Sequence, residues 1–253
     1  AAYPIYASAF YALSVLPEDF HEWEYLANSR TPEAYNKIVK GNADIIFVAQ
    51  PSGGQKKRAE ESGVTLIYTP FAREAFVFIV NVDNPVNSLT EQQVRDIFSG
   101  AITNWRTVGG NDQEIQTWQR PEDSGSQTVM QSQVMKNVRM ISPQETEVAS
   151  MMEGMIKVVA EYRNTNNAIG YTFRYYATQM NADKNIKLLA INGIAPTAEN
   201  IRNGKYPYIV DAFMVTRENM TSETQKLVEW FLTPQGQSLV EDVGYVPMYK
   251  TLH

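Results

Sequence analysis

Four residues that carry strong hydrogen-bond donors stand close together near the middle of the chain, at Arg120, Ser124, Gly125 and Ser126. The guanidinium group of arginine is a planar fork of N–H donors, and the two serines add hydroxyl groups. Glycine has no side chain, so a ligand can approach its backbone closely. Donors of this kind, one of them positively charged, suit an anion with several oxygen atoms. The sequence therefore predicts a site for a tetrahedral oxyanion.

The elements on either side of this segment would hold the donors in place. Residues 115–119 are apolar and β-branched enough to predict a short strand, which Pro121 ends. Ser124, with Gln127 three residues later, has the spacing of a capping box at a helix start. A turn from strand to helix directs free N–H groups and the positive end of the helix dipole toward one point. The alternative is an ordinary capped helix beside a surface arginine, because Ser-Gly-Ser alone is a weak signal.

A second helix start that could face an anion is predicted from Thr31, Pro32 and Glu33. Threonine is a good N-cap, proline is favoured at the first helical position, and an acidic residue suits the first turn. The neighbouring Arg30 could reach a ligand at this helix start. The alternative is a solvated arginine beside a plain helix cap.

Composition excludes several other kinds of site. The 253 residues contain no cysteine and only two histidines, so disulfides and thiol catalysis are excluded, and we expect no metal and no cofactor. The net charge of −6, without a basic block, argues against nucleic acid as a partner. No apolar run reaches membrane-spanning length. An enzyme with Ser124 as nucleophile would need a base, and neither His21 nor His253 lies near it in sequence.

The order of strand-like and helix-like segments predicts an α/β fold with mostly parallel sheets. Strand-like runs occupy residues 43–48, 64–69, 74–82 and 209–216, with a charged helical segment at residues 55–62 and an amphipathic one at residues 222–232. The runs at 74–82 and 209–216 are long and central, so both could cross between two lobes. A ligand would then lie in the cleft, at the carboxyl ends of strands.

Several motifs resemble, in order, those of one known family. They are Gly41–Ile45, Asn81–Val86, Leu89–Thr90, Ile97–Trp105, Arg120–Ser126, Ile169–Tyr171 and Tyr206–Pro207. Arg120–Ser126 is similar to the phosphate motif R-x-[DE]-x-S-G-[TS]. Over nearly its whole length the chain resembles the substrate-binding proteins of phosphate ABC transporters, within the periplasmic binding protein superfamily.

The resemblance implies a two-lobed periplasmic-binding-protein-like fold joined by a two-strand hinge. One lobe would comprise residues 1–72 and 207–253, and the other residues 73–206. The hinge would lie near residues 69–73 and 205–209.

The resemblance also implies a function without chemistry. The protein would capture inorganic phosphate between its lobes and deliver it to an ABC transporter permease. It would be extracytoplasmic, in the periplasm or at the cell surface as a lipoprotein, and a lipid anchor would lie outside this chain. Two alternatives stay open: a binding protein for another oxyanion such as sulfate, and a surface-anchored phosphate-binding or sensing protein without a transport role.

Roles for the residues around the central motif follow from the same resemblance. Arg120 would bind phosphate with both arms of its guanidinium group. Ser124, Gly125 and Ser126 would donate from hydroxyl and backbone groups. Glu122 stands where the family has an acidic residue that can orient the arginine.

The first lobe would contribute a smaller set of ligands. Thr31 stands where the family has the serine that caps the first lobe's anion-binding helix, with Ser29 and Arg30 beside it. The family's first anion loop would lie just before Ala1, so the Ala1 N–H would contribute, and a start without Met suggests a processed or trimmed product. Ala49 stands where the family often has an aspartate that accepts the proton of hydrogen phosphate, and this departure weakens the sequence argument for phosphate over sulfate.

Overall fold

The computed structural model describes residues 26–136, 138–143, 148–149, 152–161, 167–180 and 182–252. These residues form two compact units. The first unit holds the described residues of Ala1–Arg73, Asp123–Gly125 and Asp211–His253, and the second unit holds those of Glu74–Glu122 and Ser126–Val210. None of the described helices is both long enough and apolar enough to cross a membrane.

Strands and helices alternate along the described chain. In order they are α1 (Thr31–Lys40), β1 (Ile45–Val48), α2 (Gly53–Glu61), β2 (Leu66–Asn81), β3 (Ser88–Leu89), α3 (Glu91–Ser99), a 3-10 turn (Trp105–Val108), β4 (Gln116–Thr117), α4 (Gly125–Val129) with a π-helical continuation (Met130–Met135), α5 (Met152–Glu161), β5 (Ala168–Phe173), a π-helical segment (Tyr176–Met180), β6 (Ile186–Leu188), β7 (Ala190–Ile191), α6 (Ala198–Arg202), β8 (Ile209–Arg217), α7 (Ser222–Phe231), α8 (Pro234–Val243) and β9 (Val246–Pro247).

The sheet of the first unit separates two apolar cores. Its strands are ordered β1-β8-β2, with β1 antiparallel to β8 and β9 antiparallel to the first half of β2. Side chains alternate between the faces of a strand. Phe47 therefore packs on one face, where its ring lies 5.5 Å from Phe71 and 5.2 Å from Phe231 of α7. Ile46 packs on the other face with Tyr35 of α1.

The second unit is built on the second half of β2. That half pairs antiparallel with β5 and β6, β5 pairs parallel with β4, and β3 pairs parallel with β7. The ring of Phe98 in α3 lies 5.9 Å from Phe78 of β2 and 5.6 Å from Tyr171 of β5. A Cβ at Gly170 would overlap the sulfur of Met155, so α5 packs directly on β5. This packing fixes the strand that carries Tyr171.

The prediction of mostly parallel sheets is wrong for the described strands. Strand β2 runs antiparallel to β5, β6 and β9, and β1 runs antiparallel to β8. An alternation of strands and helices implies parallel neighbours only when strands adjacent in sequence also pair. Here β2 takes its neighbours from distant parts of the chain, so the connecting helices do not set strand direction.

Strand β2 is also longer than the sequence indicates. The runs at residues 64–69 and 74–82 predict two strands, whereas the structure has one strand of 16 residues. Pro70 lies inside it, and proline donates no hydrogen bond to a neighbouring strand, so it normally marks a strand's end or edge. Tertiary pairing outweighs that local signal here.

Candidate functional site

Arg120 is buried and held through both its backbone and its side chain. Its backbone N–H donates to the Tyr171 hydroxyl at 3.0 Å and to the side-chain oxygen of Gln127 at 3.3 Å. Its guanidinium group donates to the carbonyl of Ala149. Only 8% of the residue is exposed. The charged group is therefore oriented by contacts inside the second unit.

Tyr171 and Gln127 form the support under Arg120. Burial raises the pKa of Tyr171, so its hydroxyl keeps its proton at neutral pH. That hydroxyl donates to the side-chain oxygen of Gln127 while accepting from the Arg120 backbone. The sequence predicts that Gln127 takes part in a helix cap. In the structure its side-chain oxygen instead accepts hydrogen bonds from Arg120 and Tyr171.

Residues 121–125 form the turn between this arginine and α4. Asp123 has a left-handed backbone with φ of +63°, and α4 begins at Gly125, so Ser124 stands at the helix start as predicted. The exposed carboxylate of Glu122 accepts from the side-chain amide of Gln131 at 3.2 Å. The role predicted for Glu122, orienting Arg120, stays a prediction.

Ser126 is distinguished by a buried hydroxyl that lacks a partner in the part of the chain that the structure describes. The residue has 0% exposure, and its Oγ has no hydrogen-bond partner among the described residues. Buried polar groups are nearly always hydrogen-bonded, so an unsatisfied hydroxyl calls for an explanation. A bound ligand or water at this point would supply the missing partner.

In the first unit the start of α1 differs from the prediction. Thr31 is not the N-cap: the helix begins at Thr31 itself, and Arg30 occupies the cap position. Glu33 accepts from the backbone N–H of Arg30 at 3.4 Å and from its guanidinium group at 3.1 Å. Folding the glutamate back onto Arg30 closes the first turn without a threonine cap. Ser29 and Thr31 are half-buried, and Ala1 lies outside the described residues.

Helix α2 has a start that the sequence analysis did not single out. The helix begins at Gly53, and Ser52 is its N-cap, accepting from the backbone N–H of Gln55 at 3.1 Å. Gln55 in turn accepts from the Ser52 backbone at 2.9 Å. The spacing Ser-x-x-Gln is a capping-box signal that could have located this helix start.

Asp123 is a residue of the turn that the sequence analysis did not single out. The Ser52 hydroxyl donates to one carboxylate oxygen of Asp123, and Arg58 donates to the other at 3.2 Å. Gln55 donates from its side-chain amide to the Asp123 carbonyl at 3.1 Å. These contacts join Asp123 to α2 within the first unit.

The position of Ala49 provides no carboxylate. The Ala49 carbonyl accepts from the Tyr35 hydroxyl at 3.1 Å, and its methyl side chain can neither donate nor accept. An acceptor for a ligand's proton would have to come from another residue.

Comparisons with known proteins place the chain in a family. A family profile described as "PBP superfamily domain" matches residues 19–235 of this chain. The Bacillus subtilis protein named phosphate-binding protein PstS is 27% identical over 209 residues, which cover 82% of this chain and 64% of that protein. The chain therefore spans just under two thirds of that relative. A protein of the same name from Borreliella burgdorferi is 26% identical over 218 residues, covering 84% of this chain and 74% of that one.

Solved structures share the fold. A Clostridium perfringens protein, assigned as a phosphate ABC transporter substrate-binding protein and solved with bound phosphate, has a TM-score of 0.68 at 24% identity, covering 85% of this chain and 84% of that one. An ABC-type phosphate transport receptor from Vibrio cholerae has a TM-score of 0.64 at 24% identity, with coverage of 85% and 84%. With the profile spanning most of its length, the chain belongs to the PBP (periplasmic binding protein) superfamily.

Proposed function

We propose that this protein captures inorganic phosphate outside the cytoplasm and delivers it to an ABC transporter permease. The observation that carries the proposal is the buried Ser126 hydroxyl, which has no partner among the described residues and stands six positions after the buried Arg120. A charged fork and an unsatisfied donor on one turn suit an oxyanion. The names of the relatives, phosphate-binding proteins from two organisms, supply the identity of the anion.

Affinity would come from charge-assisted hydrogen bonds in a dry site. Such bonds are roughly twice as strong as neutral ones, and burial lowers the local dielectric further. The protein as a whole carries a charge of −6, which disfavours an incoming anion. Local donors must therefore outweigh the global field, and a buried arginine with fixed geometry is suited to that task.

We propose that the two compact units act as the two lobes predicted from the sequence, residues 1–72 with 207–253 and residues 73–206. The unit boundaries at Arg73–Glu74 and Val210–Asp211 support this division, because they fall inside β2 and β8. These two strands would act as the hinge. Ser29, Arg30, Thr31 and the Ala1 N–H are proposed as ligands from the first lobe.

Phosphate is favoured over sulfate by protonation. Hydrogen phosphate carries a proton at neutral pH and gains from an acceptor, whereas sulfate has no proton to donate. Glu122 is an exposed acceptor on the binding turn, while Ala49 offers only a backbone carbonyl that already accepts from Tyr35. We infer that Glu122 is the acceptor that distinguishes the two anions.

The relatives are binding proteins, and we propose that this chain likewise catalyses no reaction. Both histidines, which a Ser124 nucleophile would need as bases, lie outside the described residues. Isothermal titration with phosphate, arsenate and sulfate tests the proposal directly. We expect phosphate and arsenate to bind and sulfate to bind far more weakly. Tight sulfate binding without phosphate binding would contradict the proposal.

A further inference from the structure

One residue, Asp123, ties the proposed phosphate turn to α2. Both of its carboxylate oxygens and its carbonyl oxygen accept hydrogen bonds, from Ser52, Arg58 and Gln55 respectively. Ser52 is also the N-cap of α2, and its oxygen accepts from the Gln55 backbone at 3.1 Å. The Ser52 hydroxyl thus accepts from the Gln55 N–H and donates its own proton to the Asp123 carboxylate.

The grouping of residues into compact units reflects this connection. Asp123–Gly125 belongs to the first unit with α2, although the flanking residues Glu122 and Ser126 belong to the second. Ser124 and Gly125, two of the proposed donors, are therefore placed by what holds Asp123. Arg120, the charged donor, is placed by contacts in the second unit.

The backbone of Asp123 needs such an anchor. Its φ of +63° lies in the left-handed region, which is unfavourable for a residue with a side chain, although aspartate tolerates it better than most. Residues in sparsely populated conformations persist when their surroundings hold them there. The three partners on α2 supply that constraint.

The side chain of Asp123, which holds the turn against α2, is negatively charged at neutral pH. The hydrogen bond from Ser52, followed by the hydrogen bond and the charge of Arg58, holds the pKa of Asp123 below its usual value. The carboxylate therefore stays ionised at neutral pH. The ion pair with Arg58 is partly exposed, with 46% and 29% of the two side chains accessible, and such pairs alone contribute little. The anchor thus depends on the three contacts acting together.

We propose that Asp123 is a positioning residue that holds the backbone donors of Ser124 and Gly125 in place before phosphate arrives. It acts through Ser52, Gln55 and Arg58. A preformed turn strengthens binding because the ligand does not bear the cost of ordering it. This inference rests on the proposed function, since it assigns a role within the same site.

Asp123→Asn separates positioning from simple electrostatics. Asparagine keeps the size and tolerates a left-handed backbone, but it loses the charged contact with Arg58. If Asp123 acted only through its negative charge, its removal would tighten the binding of an anion. Positioning predicts the opposite, a dissociation constant for phosphate about tenfold higher. Unchanged or tighter binding overturns the inference.

A matched control is Asp112→Asn, which breaks another exposed ion pair, with Arg106 in the second unit. We expect it to leave phosphate affinity unchanged.

The second experiment uses Arg58→Met, measured alone and combined with Asp123→Asn. Positioning predicts that the Arg58 change weakens binding in the parent protein and has little further effect once Asp123 is replaced. Additive effects would overturn the inference.

Amide hydrogen exchange measures, in the absence of phosphate, whether Asp123 orders the turn. In phosphate-free protein we expect the amides of Ser124, Gly125 and Ser126 to exchange faster in Asp123→Asn than in the parent, while the amides of β5 exchange at the same rate in both. Equal exchange at the turn overturns the inference even if affinity falls. If the parent protein does not bind phosphate, the proposed function fails by itself, and exchange still decides whether Asp123 orders the turn.

Discussion

At the scale of single residues, Arg120 and Ser126 are both buried but are held in opposite ways. Arg120 has partners for its backbone and its guanidinium group inside the second unit. The hydroxyl of Ser126 has no partner among the described residues. Replacing Arg120 therefore removes contacts within the second unit, whereas replacing Ser126 removes no hydrogen bond of its hydroxyl to the described residues.

Arg120→Ala should lose most of the phosphate affinity. Truncating one partner of a buried charged pair costs about 2–5 kcal/mol, or roughly thirty- to several-thousand-fold in affinity. Titration calorimetry measures the change, with Arg106→Ala as the control because Arg106 is an exposed arginine paired with Asp112. Parent-like binding by Arg120→Ala would show that the site is elsewhere.

Ser126→Ala should change affinity and stability in different directions. A hydrogen bond to a charged group contributes about 1.5–3 kcal/mol, so phosphate should bind roughly ten- to hundredfold more weakly. The free energy of unfolding without ligand should not fall, because the hydroxyl removed has no described partner.

The control for that variant is Ser238→Ala. Ser238 is also buried, but its hydroxyl accepts from the Leu252 backbone at 2.9 Å. Its removal should lower stability and leave phosphate affinity unchanged. Denaturant unfolding and calorimetry on both variants check the two signs together, and a Ser126→Ala protein destabilised like Ser238→Ala would contradict the assignment.

Sequence reasoning located residues whose role depends on nearby positions and missed those whose role depends on distant ones. Arg120 and Ser126 follow from a motif of seven residues. The bond between Ser52 and Asp123 joins residues 71 positions apart, and no local pattern encodes it. The cap at Arg30 was missed for another reason, because threonine has the better intrinsic preference and the Glu33 contact overrode it.

At the scale of elements, local patterns predicted helices better than they predicted strand partners. Helix α1 begins at Thr31, one residue before the start that a Thr31 cap predicts. Strand direction depends on which segments meet, so the antiparallel neighbours of β2 could not be predicted from the sequence. Strand β2 runs through Pro70, and beyond that residue it pairs with β9 at residues 72–73 and with β5 at residues 76–80.

Strand β2 also carries a buried carboxylate, Glu74, at its passage from the first unit to the second. Its oxygens accept from the backbone N–H groups of Ala75 at 2.7 Å and Tyr175 at 2.8 Å. Burial raises the pKa of Glu74 from 4.5 to about 7, against the opposing effect of those two N–H groups and of Arg174. The native state therefore binds a proton more tightly than the unfolded state does.

This difference predicts how stability depends on pH. Below about pH 4.5 the side chain is neutral in both states, and its stabilising contribution is fully present. As the pH rises toward 7 the unfolded state ionises first, so that contribution is lost, on the order of 3 kcal/mol in total. Glu74→Gln cannot ionise and should lack this dependence.

Urea unfolding of the parent and Glu74→Gln between pH 4.5 and pH 8 measures the difference. The stability of the parent relative to the variant should fall with rising pH and level off above the pKa of Glu74. The exposed Glu60→Gln is the control and should follow the parent curve. Parallel curves for the parent and Glu74→Gln would mean that burial does not raise the pKa of Glu74 above its value in the unfolded state.

At the scale of the whole molecule, the proposal requires ligands from both units. Arg120 and Ser126 lie in the second unit, and Ser29, Arg30 and Thr31 lie in the first. A ligand shifts a conformational equilibrium only through contacts that differ between its states. If phosphate binds donors from both units at once, it must order both helix starts.

Hydrogen exchange with and without phosphate tests this requirement. We expect slower exchange at the amides of residues 120–126 and also at residues 29–31, at the start of α1. Arg120→Ala should lose the protection at both places, because the first unit gains contacts only through a ligand that Arg120 retains. The charged contact of Arg30 with Glu33, at 3.1 Å, lies within the first turn of α1 and so does not predict the change by itself. Protection confined to residues 120–126 would show that phosphate binds to the turn alone, and the roles proposed for Ser29, Arg30 and Thr31 would then be wrong.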